Sequence, residues 1–307
     1  MGRNWKYILY NFATAFLVVL VGTAFRIPDD SIHMLGEKIY RKSGAEASLA
    51  FFQQEVVTSG DLSAFFGKAW STWMLGESEK AVKMANFIAS EEPTGWLAAS
   101  SLHLLGEISG GQGQHVQALV QLGQAHNAFR DLGDKKNQYK TLLGLAEVSL
   151  RCGDVNNARE FLHSAERFKT KAGKYLARYY QLCSVLSLTE RNYSKGMEQC
   201  RLALAEYQAL KSESGAAEAT SDLGFFQIMN GMGVKGLQTI READKRFRAL
   251  GNDRALHYNK INMILGRRCS GQTTGQLVSE VRTQADNSKD LMLSKLLTFA
   301  LTAECGN

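Results

Sequence analysis

A spaced series of small residues limits what this chain can become more than any other feature of it. Ala69, Gly106, Ala146, Ser184 and Gly224 stand 37 to 40 positions apart, and twelve residues beyond each lies a second small residue: Ala81, Ala118, Ala158, Gly196 and Gly236. Five positions before each second member comes a turn position, read as Gly76, Gly113, Gly153, Arg191 and Gly231. Seven positions after it, four copies place Ala125, Ala165, Ala203 and Ala243, and the first places Ile88. A period of this length marks a stacked repeat. Its spacing has a direct physical sense. Two helices approach closely only where facing side chains are small, and the residue between them closes the first helix in a left-handed conformation that costs glycine little. The later alanine leaves room for the next pair. One alanine pair would mean nothing, alanine being the best helix former, but five registered copies specify a stack of helical hairpins.

The ladder resembles the tetratricopeptide repeat, whose helix pairs carry small residues at these offsets, a turn glycine between them and a later alanine. The first copy also ends on the family's closing proline, Pro93, and residues 129–134 and 247–253 look like the longer repeat variant of scaffold and sensor proteins. No copy has the family's tryptophan at the start of its first helix, and Arg191 replaces a turn glycine. The resemblance covers about 60% of the chain, residues 62–250. It implies an all-α fold, an α-solenoid of helical hairpins wound as a right-handed superhelix. Composition agrees, with two prolines in the whole chain and 45% hydrophobic residues.

Residues 29–60 are expected to form a capping hairpin, 32–41 and 46–57, broken at Ser43-Gly44. Five repeats follow over 61–251. Their first helices are expected near 62–75, 95–108, 136–151, 174–189 and 214–229, and their second helices near 78–91, 115–131, 155–170, 194–210 and 234–249. Asp134, Asp154 and Ser194 read as helix starts, and the glycine-rich 109–114 as a long, loose turn. Residues 252–307 read as a degenerate sixth pair, without the small-residue ladder, and a closing helix over 291–304. An open stack needs such ends to shield its last apolar face.

Residues 1–28 read as a signal anchor or a signal peptide. Residues 7–25 carry no charge, follow Arg3 and Lys6, and just suffice to span a bilayer as a helix. The expectation is a membrane protein with a single amino-terminal anchor and its repeats on the exoplasmic or periplasmic side. Cleavage near Ala24, giving a secreted or periplasmic protein, and a mitochondrial membrane address are the alternatives. The net charge of +6 is mild, and no basic run is interleaved with aromatics, so nucleic acid is not an expected partner. Of the five cysteines, Cys152, Cys183 and Cys200 fall in repeat helices, while Cys269 and Cys305 lie near the end of the chain and could approach each other. The odd count and irregular spacing argue against a disulfide framework or a zinc site.

No phosphate loop, nucleophile elbow or metal helix occurs, so no catalytic residue, metal or cofactor is expected and the protein is read as a non-enzyme. In the resembled family the first helices line a concave groove. Carrying its offsets over gives Phe66, Trp70 and Trp73 from the first copy, His103 and Glu107 from the second, and Lys140 and Glu147 from the third. The fourth gives Arg178 and Gln181, and the fifth Glu218, Ser221, Asp222 and Phe225. For Trp70 and Trp73, packing against the amino-terminal hairpin is the competing reading. The chaperone-tail clamp of some members is matched only at Lys140. Lys140 and Arg178 share one offset and are expected to favour an acidic segment between them, unless Glu218 and Asp222 answer Arg178. The leading functional expectation is a membrane-tethered scaffold or adaptor that binds a protein or peptide in this groove. A peptide-responsive sensor or regulator is the alternative, and an enzyme ranks below both.

Overall fold

The computed structural model describes residues 31–59, 61–168, 174–288, 291–303 and 305; the apolar stretch 7–25 lies outside them. All regular structure among the described residues is helical. A leading helix, α1 (Ser31–Ser59), precedes six pairs: α2 (Leu62–Met74) with α3 (Ser78–Glu91), α4 (Gly95–Gly111) with α5 (His115–Asp131), α6 (Lys135–Cys152) with α7 (Val155–Glu166), α8 (Lys174–Thr189) with α9 (Tyr193–Ala209), α10 (Glu213–Met229) with α11 (Gly233–Ala249), and α12 (Asp253–Cys269) with α13 (Gly275–Ser288). A last helix, α14 (Leu291–Thr302), follows. The chain divides into two compact units, one reaching to Val148 and including Ser164–Phe168, the other holding Ser149–His163 and the described residues from 174 onward.

The turns repeat one device. Gly76, Gly113, Gly153 and Gly231 all have φ between 79° and 88°, and Arg191 adopts the same left-handed region at φ 56°. Around all five the hydrogen bonds recur in register. Glu77, Gln114, Asp154, Asn192 and Met232 donate their N–H groups to the carbonyls of Thr72, Ser109, Ser149, Ser187 and Gln227, at 2.8–3.2 Å. These 6→1 bonds satisfy carbonyls that the end of a helix would otherwise orphan. Side-chain caps start several helices, where Asp134, Asp154, Asn192 and Asn252 accept from the N–H three residues on, but Glu77, Gln114 and Met232 make no such bond. The second helix of the fourth copy is therefore capped by Asn192 and not by Ser194, whose hydroxyl instead reaches Asn230. The glycine-rich 109–114 is also tighter than expected. Ser109, Gly110 and Gly111 continue α4, because Gly110 packs where a Cβ would stand 3.0 Å from Val148. At Gly44 the backbone leaves helical geometry at φ 84°, breaking α1 where the sequence breaks the hairpin.

The ladder lies where helices meet. Ala69, Ala81, Ala118, Ala125, Ala146, Ala158, Ala165, Ala203 and Ala243 are all fully buried, as is Ile88. Ser184 fits the same position because its hydroxyl turns back onto the carbonyl of Gln181, 2.7 Å away. The closest approach is between α10 and α11. A Cβ on Gly236 would sit 2.6 Å from the carbonyl oxygen of Gly224, and one on Gly224 would sit 3.0 Å from that of Gly236. Side chains fill the space beside these contacts. In the first unit Phe66, Trp70, Leu104, Leu105 and Ile108 close over Ala81 and Ala85. In the second, Phe226 lies against Gly196 and continues into Ile228, Ile240, Ile264 and Leu265, and from there to Leu293, Leu296 and Phe299 of α14. The sixth pair keeps the turn glycine, Gly271 at φ 68°, but places Ile264 where the other pairs place a small residue. A disulfide between Cys269 and Cys305, with Cα atoms 5.3 Å apart, ties the end of α12 to the segment after α14.

Arg191 tests the turn device. A non-glycine residue in the left-handed region carries a strain that glycine avoids, partly offset by glycine's greater freedom in the unfolded chain. Arg191→Gly is expected to raise stability by up to about 1 kcal/mol, read as a higher denaturant midpoint. A lowered midpoint would mean that the arginine side chain, and not the turn geometry, decides the residue there.

Candidate functional site: the polar first helices

Burial separates the two helices of each pair. The second helices show one buried stripe; the first helices are covered on nearly every side. In α10 every residue from Gly215 to Met229 except Asp222 is buried. Such a helix should be apolar all round, yet the first helices are not. Among the described residues, every buried polar or charged side chain except Ser48 and Asp244 belongs to a first helix: α2, α4, α6, α8, α10 or α12.

In the first unit, Phe66 and Trp70 were expected to face a groove and do not. They are 5% and 6% exposed and join the core between α2, α3 and α4, with Phe66 edge-on to Trp96 at 5.8 Å and Trp70 edge-on to Trp73 at 4.9 Å. Their neighbours are Leu104, Leu105 and Ile108 of α4, so the aromatic cluster belongs to the first repeat rather than to the amino-terminal hairpin. Trp73 is half-buried at the edge of this cluster. His103 is buried and its Nε2 lies 3.8 Å from Oε1 of Glu107. Glu107, half-buried, lies against Gly144 of α6, where a Cβ would approach its carboxylate to 2.9 Å. Lys140 and Glu147 are also buried.

In the second unit, Arg178 and Gln181 of α8 are buried, and Phe225 is wholly inaccessible, 5.6 Å from Phe226. The cation pair expected to await an anion is not available: Lys140 is 4% exposed, Arg178 is 8% exposed, and each already takes part in an interaction of its own. Sequence offsets treat the inner face as open, whereas both of these side chains are buried. A polar seam remains. Gln181 accepts from the hydroxyl of Tyr207 and hydrogen-bonds the carboxyl of Asp222. Ser221 donates to Oδ1 of Asn259 at 2.7 Å and accepts from Asn262 at 3.2 Å. Asn259 also donates to the carbonyl of Ile240, and Arg248 holds Asp244 at 2.8 Å. Asn259 and Asn262 were not among the expected residues, since the ladder fades in the sixth pair. Counting back seven places from Gly271 recovers the register and puts Asn262 at the offset of Asp222.

Glu218 and Asp222, one turn apart on α10, are the unusual charges of this seam. Burial pushes the Glu218 carboxyl up to about 8, against one hydrogen bond from Ser214, and its Oε2 has no partner among the described residues. Burial also raises Asp222 well above the carboxylate range; neighbouring Glu218 adds to that, and the bond from Gln181 opposes it. With its pKa at about 8, Glu218 is mostly protonated near neutrality and able to donate as well as accept hydrogen bonds, and Asp222 is shifted in the same direction.

With this geometry in place, comparisons with known proteins bear on the fold. No protein-family profile and no curated protein matches the sequence. Solved structures do match. The Cut9 assembly, a hetero-tetramer of Cut9 and Hcn1 from the APC/C, gives a TM-score of 0.66 at 13% identity over 87% of this chain and 52% of that one. A Rap protein complexed with Competence and Sporulation Factor gives 0.66 at 16% identity over 88% and 80%. Aspartyl phosphate phosphatase F from Bacillus subtilis gives 0.56 at 12% identity over 92% and 82%. The fold is an all-α, tetratricopeptide-like helical repeat. The chain spans about half the length of the first of these similar structures.

The raised carboxyls give this repeat fold a pH signature. A carboxyl whose folded pKa exceeds its unfolded one makes the folded state bind more protons, so stability falls as pH rises from the ordinary carboxylate range to about 8. Denaturant midpoints at about pH 5.5 and about pH 8.5 should show a loss on going alkaline, amounting to a few kcal/mol at most. Glu218→Gln should flatten that loss. An equal loss in the variant would show that Glu218 does not ionise in this window.

Proposed function

We propose that this protein is a non-enzymatic, membrane-tethered scaffold whose first helices take up a segment of another protein. One observation carries the reading: buried polar side chains are gathered on the first helices and almost nowhere else. Buried polar groups cost free energy unless they are bonded, and a stack selected for stability alone would carry alanine and leucine at these positions. Asn259, Asn262, Ser221, Gln181 and the Glu218–Asp222 pair instead form a hydrogen-bonding layer in the second unit, buried except at the half-buried Asp222. Asp222 is where the main chain of an extended peptide, which needs donors and acceptors, would meet that layer, the buried members holding it in place from beneath. The likeness to a Rap protein solved with its Competence and Sporulation Factor supports a peptide as the segment, and the Cut9–Hcn1 assembly supports a protein. The Rap likeness also favours a second reading, a regulator whose repeats rearrange when the peptide binds.

The tether would be residues 7–25, since among the described residues no helix is long and apolar enough to cross a membrane. Placement of the repeats on the exoplasmic side is supported by the Cys269–Cys305 disulfide, because such bonds persist in oxidising compartments. Cleavage near Ala24 would leave the same compartment without the tether.

A photo-crosslinker separates the reading from its rivals. In the full chain, Asp222→benzoylphenylalanine is expected to yield adducts with a second polypeptide in the native host. The same replacement at Val116, 79% exposed on α5, should yield none. Adducts from Val116 alone would place the partner on the second helices and contradict the proposal.

A further inference from the structure

The cations expected to select an acidic partner are buried, but a second set is not. Where α1, α2 and the first turns of α3 meet, a cavity of about 460 Å³ opens to the surface of the first unit. Lys68 of α2 and Lys80 and Lys83 of α3 line it, against a single carboxylate, Glu77. Glu77 is already paired with Lys80 one turn along the same helix. Lys68 has only the ring of Phe65, 5.9 Å away, and neither Lys68 nor Lys83 has a carboxylate partner among the described residues. Leu49 of α1 and Met84 of α3 supply an apolar part to the same wall. The polar seam of the second unit has no share in this cavity.

We propose that this cavity is a binding site for an acidic peptide segment of a partner, with carboxylates set beside an apolar residue. Three ammonium groups against one carboxylate leave a local excess of positive charge that a carboxylate-bearing segment would neutralise. The apolar wall asks for more than an ion: inorganic phosphate would leave Leu49 and Met84 uncovered, while a leucine or isoleucine beside a glutamate would cover them. A lipid tail would need a long apolar channel, and two apolar side chains do not make one. The size falls within the range that holds one or two side chains of a ligand. This site rests on the lysines and the cavity alone, so it stands or falls apart from the proposed role of the first helices.

The test uses the full-length chain and a fluorescein-labelled peptide of alternating glutamate and leucine, followed by fluorescence polarisation. The peptide should bind, its affinity should fall as salt is added, and the glutamine-for-glutamate peptide should bind much more weakly. Lys68→Gln/Lys83→Gln should weaken binding by about fivefold to tenfold, as expected for two partly exposed charge contacts. Met84→Trp, which fills the cavity without removing charge, should weaken it as well. Lys135→Gln/Lys136→Gln, on α6, should not. Unchanged helical circular dichroism confirms that each variant folds. Equal binding of the glutamine peptide, or no effect of the Lys68 and Lys83 changes, would overturn the proposal. So would displacement of the peptide by equimolar inorganic phosphate, which would make this a phosphate site, or binding of phosphatidylglycerol vesicles in place of the peptide.

Discussion

Gly224 and Gly236 bring two helix backbones into direct contact, and the rest of the stack follows from contacts of that kind. With a carbonyl oxygen 2.6 Å from where a Cβ would be, no other residue fits at Gly236 without moving α10 from α11. The other rungs of the five pairs carry glycine, alanine or serine, and those alanines and Ser184 are fully buried. Because each of the first five pairs closes on a small residue, its large side chains are pushed to the flanks, where they fill the space toward the next pair. Gly196 accepting the Phe226 ring, and Gly144 meeting Leu122 of the preceding pair, are instances of that division. Dispersion and burial act over many atoms at these flanks, but only after the small residues have allowed the axes to approach.

Close packing explains where polarity ends up. Second helices have one neighbour-facing stripe and a wet outer face, so their polar residues need no special account. First helices are covered on nearly all sides, and their polar residues become a buried layer that must be hydrogen-bonded or protonated. Tyr207 with Gln181, Ser221 with the two asparagines and the high-pKa Glu218 are that layer in the second unit. The proposed scaffold function and the alkaline loss of stability are two consequences of one arrangement.

The fold was legible in the sequence because its determinant is periodic. Fully buried positions recur at the spacing of the ladder, and even the anomalous Arg191 takes the left-handed geometry that its place in the period requires. Most helix boundaries followed for the same reason. Caps were legible at Asp134 and Asp154 and not at Asn192, since Ser194 two residues on gives an equally good local signal. The site was less legible. Offsets name the residues on an inner face but carry no information on how closely the next pair covers it. Phe66, Trp70 and Phe225 consequently turned out to be core, and Lys140 and Arg178 buried. The lysine-lined cavity was missed because it draws on three helices at once, and no spacing within one helix announces it.

The central claim is that small residues matter here for the approach they permit and not for helix propensity. Gly236→Ala and Gly123→Ala put the two effects in opposition. Both replace a helical glycine by a better helix former, but a Cβ at Gly236 meets backbone while one at Gly123 meets nothing within 4 Å. Measured by denaturant unfolding of the full chain, Gly123→Ala should stabilise by up to about 1 kcal/mol, and Gly236→Ala should destabilise by about 1–3 kcal/mol. Two shifts of the same stabilising sign would contradict the account, since the α10–α11 contact would then tolerate a side chain that its geometry forbids.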